Sequence, residues 1–422
     1  MKSTPPRDAT NMKPIEQHVA DILQMTGRII DTCGPRPAGS ALSQKAAKIL
    51  GQALEPFCDR VVLDNFKHRP RAFLGHIALD AALFILACAG VLAGPGWVYP
   101  AMALLALGHL INILEFGFYV EFVDFLFKEK TGINVTGTLE PLGEAKQQIV
   151  FSAHHDSAYE FTFLDWGTGF YLAQIILSTT VNWVLLAGLA AWAGYRDLIG
   201  GLLFPYAWLQ WAAVAVIAMD VPFFFFLRSR ATPGAGDNLV SSCLLIKLAE
   251  LLKEKKDQGL APRHTRVLFV SFDAEEAGLR GSRAFARQYK RQLREIPTYN
   301  VNLESLFDLK KLEYLVSDIN GTVRLSQKLA KSLQEVTKSL GYTSRLFPMR
   351  HGYGATDAAE LAKIGVQATT LAALSPDIGS GNNVYHTHND DVQHLDPKVI
   401  RAALEILNAF LVKKEQELET AG

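Results

Sequence analysis

Apolar and polar positions are distributed very unevenly along this chain. Between Ala72 and Phe127 there is no Lys or Arg, and between Gly167 and Leu227 the single one is Arg196. Each region divides into two apolar runs. The first pair, about Ala72–Gly94 and Trp97–Val120, breaks at Gly94-Pro95-Gly96. The second pair, about Gly167–Gly194 and Leu198–Leu227, breaks at the polar turn Gly194-Tyr195-Arg196-Asp197. Every run reaches the ~20 residues a helix needs to cross the ~30 Å hydrocarbon layer. Buried helices of a soluble core are usually shorter and carry a polar stripe. The pattern therefore predicts four transmembrane helices in two hairpins, residues 72–127 and 167–227.

Around the hairpins the periodicity changes. Ile15–Leu54 has helical spacing with a loop at Gly34-Pro35-Arg36-Pro37, and Arg60–Phe66 alternates like a strand. Further strands are predicted over Gln148–Ala153, Arg266–Phe272 and Tyr299–Leu303, and helices over Leu239–Lys255, Leu325–Leu340 and Pro397–Glu415. Strands alternating with helices of this length indicate an α/β fold, a three-layer α/β/α sandwich around a mixed sheet, interrupted by the four transmembrane helices. The strand before His154 must share a sheet with the later strands. The hairpins then interrupt one discontinuous domain (residues 15–71, 128–166 and 228–416), and each crosses the bilayer an even number of times.

Composition adds exclusions. Lys plus Arg and Asp plus Glu both number 42, so net charge gives no reason to expect a nucleic-acid partner. Cys33, Cys58, Cys88 and Cys243 lie far apart with no CxxC pair, which argues against a disulfide framework or a thiolate metal site. The N-terminal stretch from Met1 to His18 lacks the apolar core of a signal peptide.

Candidate chemistry gathers in the soluble segments. In Ala153-His154-His155-Asp156, residues two apart on a strand face one side, so Asp156 can orient a metal-binding His154. A surface histidine is the bland alternative. Asp237, in Gly234-Ala-Gly-Asp237-Asn238 before a helix, reads equally as an N-cap. Glu275-Glu276 follows a buried strand and precedes Gly278. One carboxylate there can bind a cation while the other accepts a proton from water. Glu304 lies at another strand end, and His386 in Tyr385-His386-Thr387-His388-Asn389-Asp390 follows the glycine-rich stretch Gly379–Gly381. Nitrogen and carboxylate donors without thiolate suit zinc, and a carboxylate bridging two ions is a common hydrolytic arrangement.

Together these residues resemble the zinc exopeptidase family of the bacterial secreted aminopeptidases, glutamate carboxypeptidase II and, more distantly, glutaminyl cyclase. The likeness also includes Gly34-Pro-Arg-Pro-Ala-Gly-Ser40, Asn134-Val-Thr-Gly137 and Gly352–Asp357. It implies two Zn2+ per chain, one held by His154, Asp237 and Glu304, the other by Asp237, Glu276 and His386, with Asp237 bridging. It makes Glu275 the general base and Asp156 the residue that orients His154. The motif pattern selects His386 over His388 and His154 over His155. Two departures stand out: the Glu304 position is usually Asp, and the hairpins are foreign to the family. The aminoacylase-type family has a similar ligand order but different residues around its bridging Asp.

By resemblance the substrate is a peptide that loses its N-terminal residue. Rival readings are glutaminyl cyclisation on the same scaffold with one zinc, a non-catalytic membrane receptor or scaffold, and a transporter with a vestigial domain. The complete ligand set disfavours the last two. Lys67, Arg69, Arg71, Lys128, Lys130, Arg228 and Arg230 flank the helices on one side and only Arg196 lies on the other, which places the catalytic domain and both termini in the cytoplasm. Short connections from the hairpin to Asp156 and Asp237 keep the centre within roughly 35 Å of the bilayer surface. Membrane-proximal or hydrophobic peptides are the expected substrates. Polar residues inside the runs (His76, Asp80, His109, Asn112, Glu115, Asp220) form a second, weaker candidate site.

Overall fold

Val150, Leu268, Val270 and Phe272 pack on one face of a sheet whose other face carries Ile149, Phe151, Val267 and Phe269. This strict alternation, buried on both sides, is what a central strand between two helical layers requires. In the computed structural model, which describes residues 14–421 apart from 202, 261 and 375–383, those strands form the middle of a mixed sheet. The stretch Gly379–Gly381 and the N-terminal residues 1–13 lie outside the described residues.

The strands are β1 (Arg60–His68), β2 (Lys130–Leu139), β3 (Gln147–His154), β4 (Tyr159–Phe161), β5 (Leu227–Ala231) and β6 (Thr265–Phe272). Then come β7 (Thr298–Leu306), β8 (Glu313–Asp318), β9 (Val323–Arg324), β10 (Arg345–Pro348) and β11 (Gln367–Ala373). The large sheet runs β1-β2-β6-β3-β7-β11-β8-β10, with β9 beside β8. Its centre, β6-β3-β7-β11, is parallel, and β1, β2 and β8 enter antiparallel to their inner neighbours. Strands that precede, separate and follow the two apolar regions thus share one sheet.

Helices α1 (Ile15–Cys33), α2 (Ala41–Leu54), α7 (Val240–Asp257), α10 (Gln327–Ser339) and α12 (Pro397–Ala421) contribute to the core on one face. On the other face, α8 (Arg280–Tyr289), α9 (Gln292–Glu295) and α11 (Ala358–Lys363) pack through Phe285, Leu293 and Leu361. The three-layer sandwich expected from the sequence is the fold observed.

The apolar regions give α3 (Ala72–Ala93), α4 (Val98–Asn112), α5 (Thr168–Ile199) and α6 (Ala207–Asp220), which share a core of their own including Phe84, Leu105, Leu189 and Val216. All four lie in helical stretches long and apolar enough to cross a membrane, yet between 22% and 39% of the most apolar window of each is buried. Large apolar side chains such as Leu86, Ile176, Val184 and Trp211 face outward. A helix of a soluble core would bury such a surface.

The second hairpin corrects two expectations. Gly194–Asp197 is part of α5, and the helix ends only at Gly200, a left-handed cap. Arg196 pairs with Asp197 and lies over the Trp192 and Tyr99 rings, so the polar residues are accommodated on the helix without breaking it. The last run begins its helix at Ala207 and closes with a 3-10 turn, Val221–Phe225, before β5 starts at its final residue, Leu227. β5 pairs with β4 in a small antiparallel ribbon at the base of the hairpin. Alternation over so few residues is too short to signal a strand.

Asn134 on β2 locks the turn between β6 and α8: its Oδ1 accepts from Asp273 N at 3.1 Å, and its Nδ2 donates to Gly281 O at 2.8 Å. Gly281 must be glycine, because a Cβ there would lie 2.0 Å from the Asp273 carbonyl oxygen. Gly281→Ala is expected to cost about 1–3 kcal/mol or more, read as a lower midpoint in thermal unfolding of the solubilised protein.

Candidate metal centre

Parallel strands end on the same edge of a sheet, and crevices form outside their carboxyl ends. His154 closes β3, the Glu275-Glu276 pair follows β6, and Glu304 lies near the end of β7. Asp237 enters from the loop between β5 and α7, and His386 from the loop before α12. All seven residues singled out in the sequence meet here.

Their atoms form two triads sharing one carboxylate. Nε2 of His154 lies 3.2 Å from Asp237 Oδ1 and 3.6 Å from Glu304 Oε1. Nε2 of His386 lies 3.6 Å from Asp237 Oδ2 and 3.4 Å from Glu276 Oε2. Asp237 therefore turns one oxygen to each histidine. Glu275 Oε2 is 3.8 Å from His154 Nε2, and geometry alone also groups His154 with Glu275 and Glu276. Only the other two triads together use five donors with Asp237 common to both. Asp156 Oδ1 is 3.3 Å from His154 Nδ1, while its two oxygens accept from Glu275 N and Glu276 N, each at 3.2 Å.

The electrostatics of this crowding fit a cation. Burial raises the pKa of Glu275 and of Glu276, and neighbouring carboxylates push both further up. Burial also raises Glu304, against the pull of His154. At Asp237 burial acts in the same sense, but His154 and His386 outweigh it and hold the carboxyl low. His154 shifts upward because Glu304 and Glu275 overcome its desolvation. Nε2 of His154 and Oε1 of Glu276 are buried without a well-aligned hydrogen bond. Buried donor atoms of this type, facing one another at these distances, match divalent-metal ligands.

The surrounding motifs explain how the chain holds this arrangement. Arg36 is completely buried and donates to four carbonyls: His155, Gly34, Pro233 and Gly234, at 2.8–3.0 Å. It thereby ties the His154 loop to the Asp237 loop, and burial lowers its pKa to about 10. Asp390 accepts from Gly236 N at 2.6 Å and Asp237 N at 3.3 Å, fixing the shared carboxylate from behind. Asp273 accepts from Ser43 Oγ at 2.8 Å, which joins the Glu275 turn to α2. Ala274, Ser305 and His386 all have positive φ without being glycine. Backbone strain is concentrated at these functional positions.

Sequence reasoning did not find Phe161. Its ring stands edge-on to His386 at 4.5 Å, and Phe226 and Tyr171 close around it. The Tyr159-Glu160-Phe161 ribbon is short and follows the motif closely, and no spacing in the sequence links it to His386. His155 faces away as expected, its Nδ1 2.9 Å from Ser271 Oγ.

A mixed sheet with a two-triad acid and histidine cluster at its carboxyl edge defines a zinc exopeptidase fold. Residues 219–411 match the model of peptidase family M28. Aminopeptidase YwaD of Bacillus subtilis (strain 168) is 24% identical over 194 residues, 45% of this chain and 40% of that protein, so the chain spans about two fifths of that relative's length. Among solved structures, a zinc aminopeptidase from Bacillus subtilis superposes with a TM-score of 0.53 at 14% identity, covering 94% of each chain. A Bacteroides thetaiotaomicron glutaminyl cyclase gives 0.54 at 12%, covering 93% of this chain and 97% of its own. Through residues 219–411 the chain resembles peptidase family M28, and its fold is that of the zinc aminopeptidases and glutaminyl cyclases.

Asp390 is expected to act through Asp237. Replacing it with Ala should weaken metal binding about 10–100-fold, measured by competition with a chromophoric zinc chelator.

Proposed function

We propose that the protein is a membrane-anchored zinc aminopeptidase that releases N-terminal residues from peptides. The observation that carries this reading is the division of the two Asp237 oxygens between two histidine-containing triads, with Glu275 beside both. In this reading His154, Asp237 and Glu304 hold one Zn2+, and Asp237, Glu276 and His386 hold a second. Bound zinc would supply Lewis acidity and make water acidic enough to lose a proton near neutral pH.

The protein side of the reaction follows from position. Glu275 accepts a proton from the attacking water and returns it to the departing amine. Asp156 keeps His154 in one orientation and, through the Glu275 and Glu276 amides, holds the base and the neighbouring carboxylate in register. Glu304, longer than the usual Asp, has its own supports: Asn238 Nδ2 donates to Oε2 at 3.3 Å and Ser305 Oγ to Oε1 at 3.1 Å.

Glutaminyl cyclisation is the second reading, favoured by the fold shared with the cyclases. The completeness of the Asp237-Glu276-His386 triad speaks for two metals and hence for the peptidase.

Anchoring rests on the apolar outer faces of the four helices and on the aromatic side chains near their ends. Trp97, Tyr99, Trp208 and Trp211 are exposed in the half farther from the sheet, and Phe125, Trp166 and Phe225 in the half nearer to it. Such residues favour membrane–water interfaces. The basic flanks favour a cytoplasmic catalytic domain, although Glu129 pairs with Lys67 and Arg69, and Glu160 with Arg228 and Arg230. Membrane-proximal or hydrophobic peptides are the substrates this placement suits.

Two measurements test these readings. Purified protein should contain two zinc ions per chain and release free amino acids from a peptide panel. Glu275→Gln should keep both metals while losing about 10²–10⁴ in kcat; one zinc, or an active mutant, contradicts the assignment. In sealed, inside-out membrane vesicles, an added protease should reach a cleavage site engineered at Leu340 and leave one engineered at Gly96 uncut.

A further inference from the structure

The turn that carries Glu275 and Glu276 is strained at both ends. Ala274 and Leu279 have φ of 63° and 61°, in the left-handed region that residues with a Cβ rarely adopt. Between them the chain folds tightly, and Glu275 O accepts from Gly278 N and Leu279 N at 2.9 Å. Strain of this kind persists only where the surroundings hold it. Asn134 fixes the flanks at Asp273 and Gly281, and Asp156 fixes the Glu275 and Glu276 amides. Ala277 and Gly278 are held from another direction, by the first hairpin.

Arg280 makes the link. Its side chain is 3% exposed, and its Nε donates to Ala277 O at 3.1 Å. The far end of the same group is held by the segment that leaves the hairpin. Nη2 donates to Asp124 Oδ1 at 2.9 Å and lies 3.8 Å from Glu115 Oε2, and Nη1 lies 3.1 Å from Glu121 Oε1. Glu115 folds that segment back on itself, since its Oε1 accepts from Phe122 N at 2.7 Å and Val123 N at 2.8 Å. The hairpin's entry closes the other side of the turn. Phe73, at the start of α3, sits over Gly278, where a Cβ would lie 2.9 Å from the ring.

We propose that Arg280 is a positioning residue for the Glu275–Glu276 pair: anchored on the carboxylates at the exit of the first hairpin, it holds the Ala277 carbonyl and so fixes the turn. The effect on catalysis rests on the peptidase reading of the centre. A general base works only within hydrogen-bond reach of the water it deprotonates, and a small displacement costs much of the rate. Glu276 moves with the same turn, so a looser turn also weakens the hold on zinc. Arginine suits the task because one planar group offers Nε to the turn and both Nη to the hairpin, whereas lysine has no donor at the Nε position. The hairpin is then a working part of the hydrolytic domain as well as its anchor.

Arg280→Lys tests this, since it keeps a cation for Asp124 and removes the donor to Ala277. Arg283→Lys is the control: the Arg283 side chain grips the same segment, donating to Tyr119 O at 2.7 Å and Glu121 Oε1 at 2.8 Å, and bonds to no described residue of the turn. In the zinc-saturated full chain in detergent, kcat of Arg280→Lys for an aminoacyl p-nitroanilide should fall about tenfold or more with KM little changed, while Arg283→Lys keeps the wild-type kcat. Asp124→Asn loosens the same link from the hairpin side and should lower kcat in the same way. Competition with a chromophoric zinc chelator should show one zinc ion bound about tenfold more weakly by Arg280→Lys and not by Arg283→Lys. Unchanged kcat in Arg280→Lys overturns the proposal, as does an equal loss in Arg280→Lys and Arg283→Lys. Wild-type protein that binds zinc and cleaves no anilide overturns the peptidase reading instead, and the zinc affinities of the two lysine variants then decide whether Arg280 holds the turn.

Discussion

Packing five acidic side chains and two imidazoles into one buried volume is the constraint on which the rest of this molecule is organised. Each carboxylate there costs desolvation energy and repels its neighbours. Only a rigid frame can keep them together, and the frame is made of backbone hydrogen bonds to buried charges. Arg36 spans the His154 and Asp237 loops, Asp390 holds the Asp237 amide, and Asp156 holds the Glu275 and Glu276 amides. The short motifs around the ligands are this frame. Without this frame a side chain of the cluster would swing away or protonate.

Much of the sandwich was legible because its central strands are apolar on both faces and its helices are long. The seven chemical residues were legible because each lies at a predicted strand end or in a loop beside one, where the parallel edge gathers them. What escaped was the short and the irregular. β8 to β11 include strands of two to seven residues with mixed burial. The β4–β5 ribbon pairs segments on opposite sides of a hairpin, a relation that local periodicity cannot carry. The turn assigned to Gly194–Asp197 failed for a related reason. Polar residues at the end of a long apolar helix can satisfy themselves by pairing and ring stacking while the backbone stays helical.

The hairpins show how an apolar element can interrupt an α/β core without disturbing its sheet. Both enter and leave beside the carboxyl edge of the sheet, so the strands stay in register and the insertion lands next to the reacting groups. Phe161, beside the second hairpin, stands edge-on to His386, and Tyr171 of that hairpin stacks on it. Proximity of this kind makes the insertions part of the local dielectric, excluding water on the sides they cover.

The position of the second hairpin between His154 and Asp237 has a consequence for biosynthesis. Both apolar hairpins precede Asp237, Glu276, Glu304 and His386 in the chain, so a ribosome has synthesised them before it makes these residues. The strands β6, β7 and β11 must therefore join β2 and β3 after all four apolar helices exist. The centre is thus completed by residues from the C-terminal half of the chain. A chain stopped between Leu227 and His386 has all four apolar helices but lacks a closed second triad, so the last member of the cluster arrives near the C-terminal end.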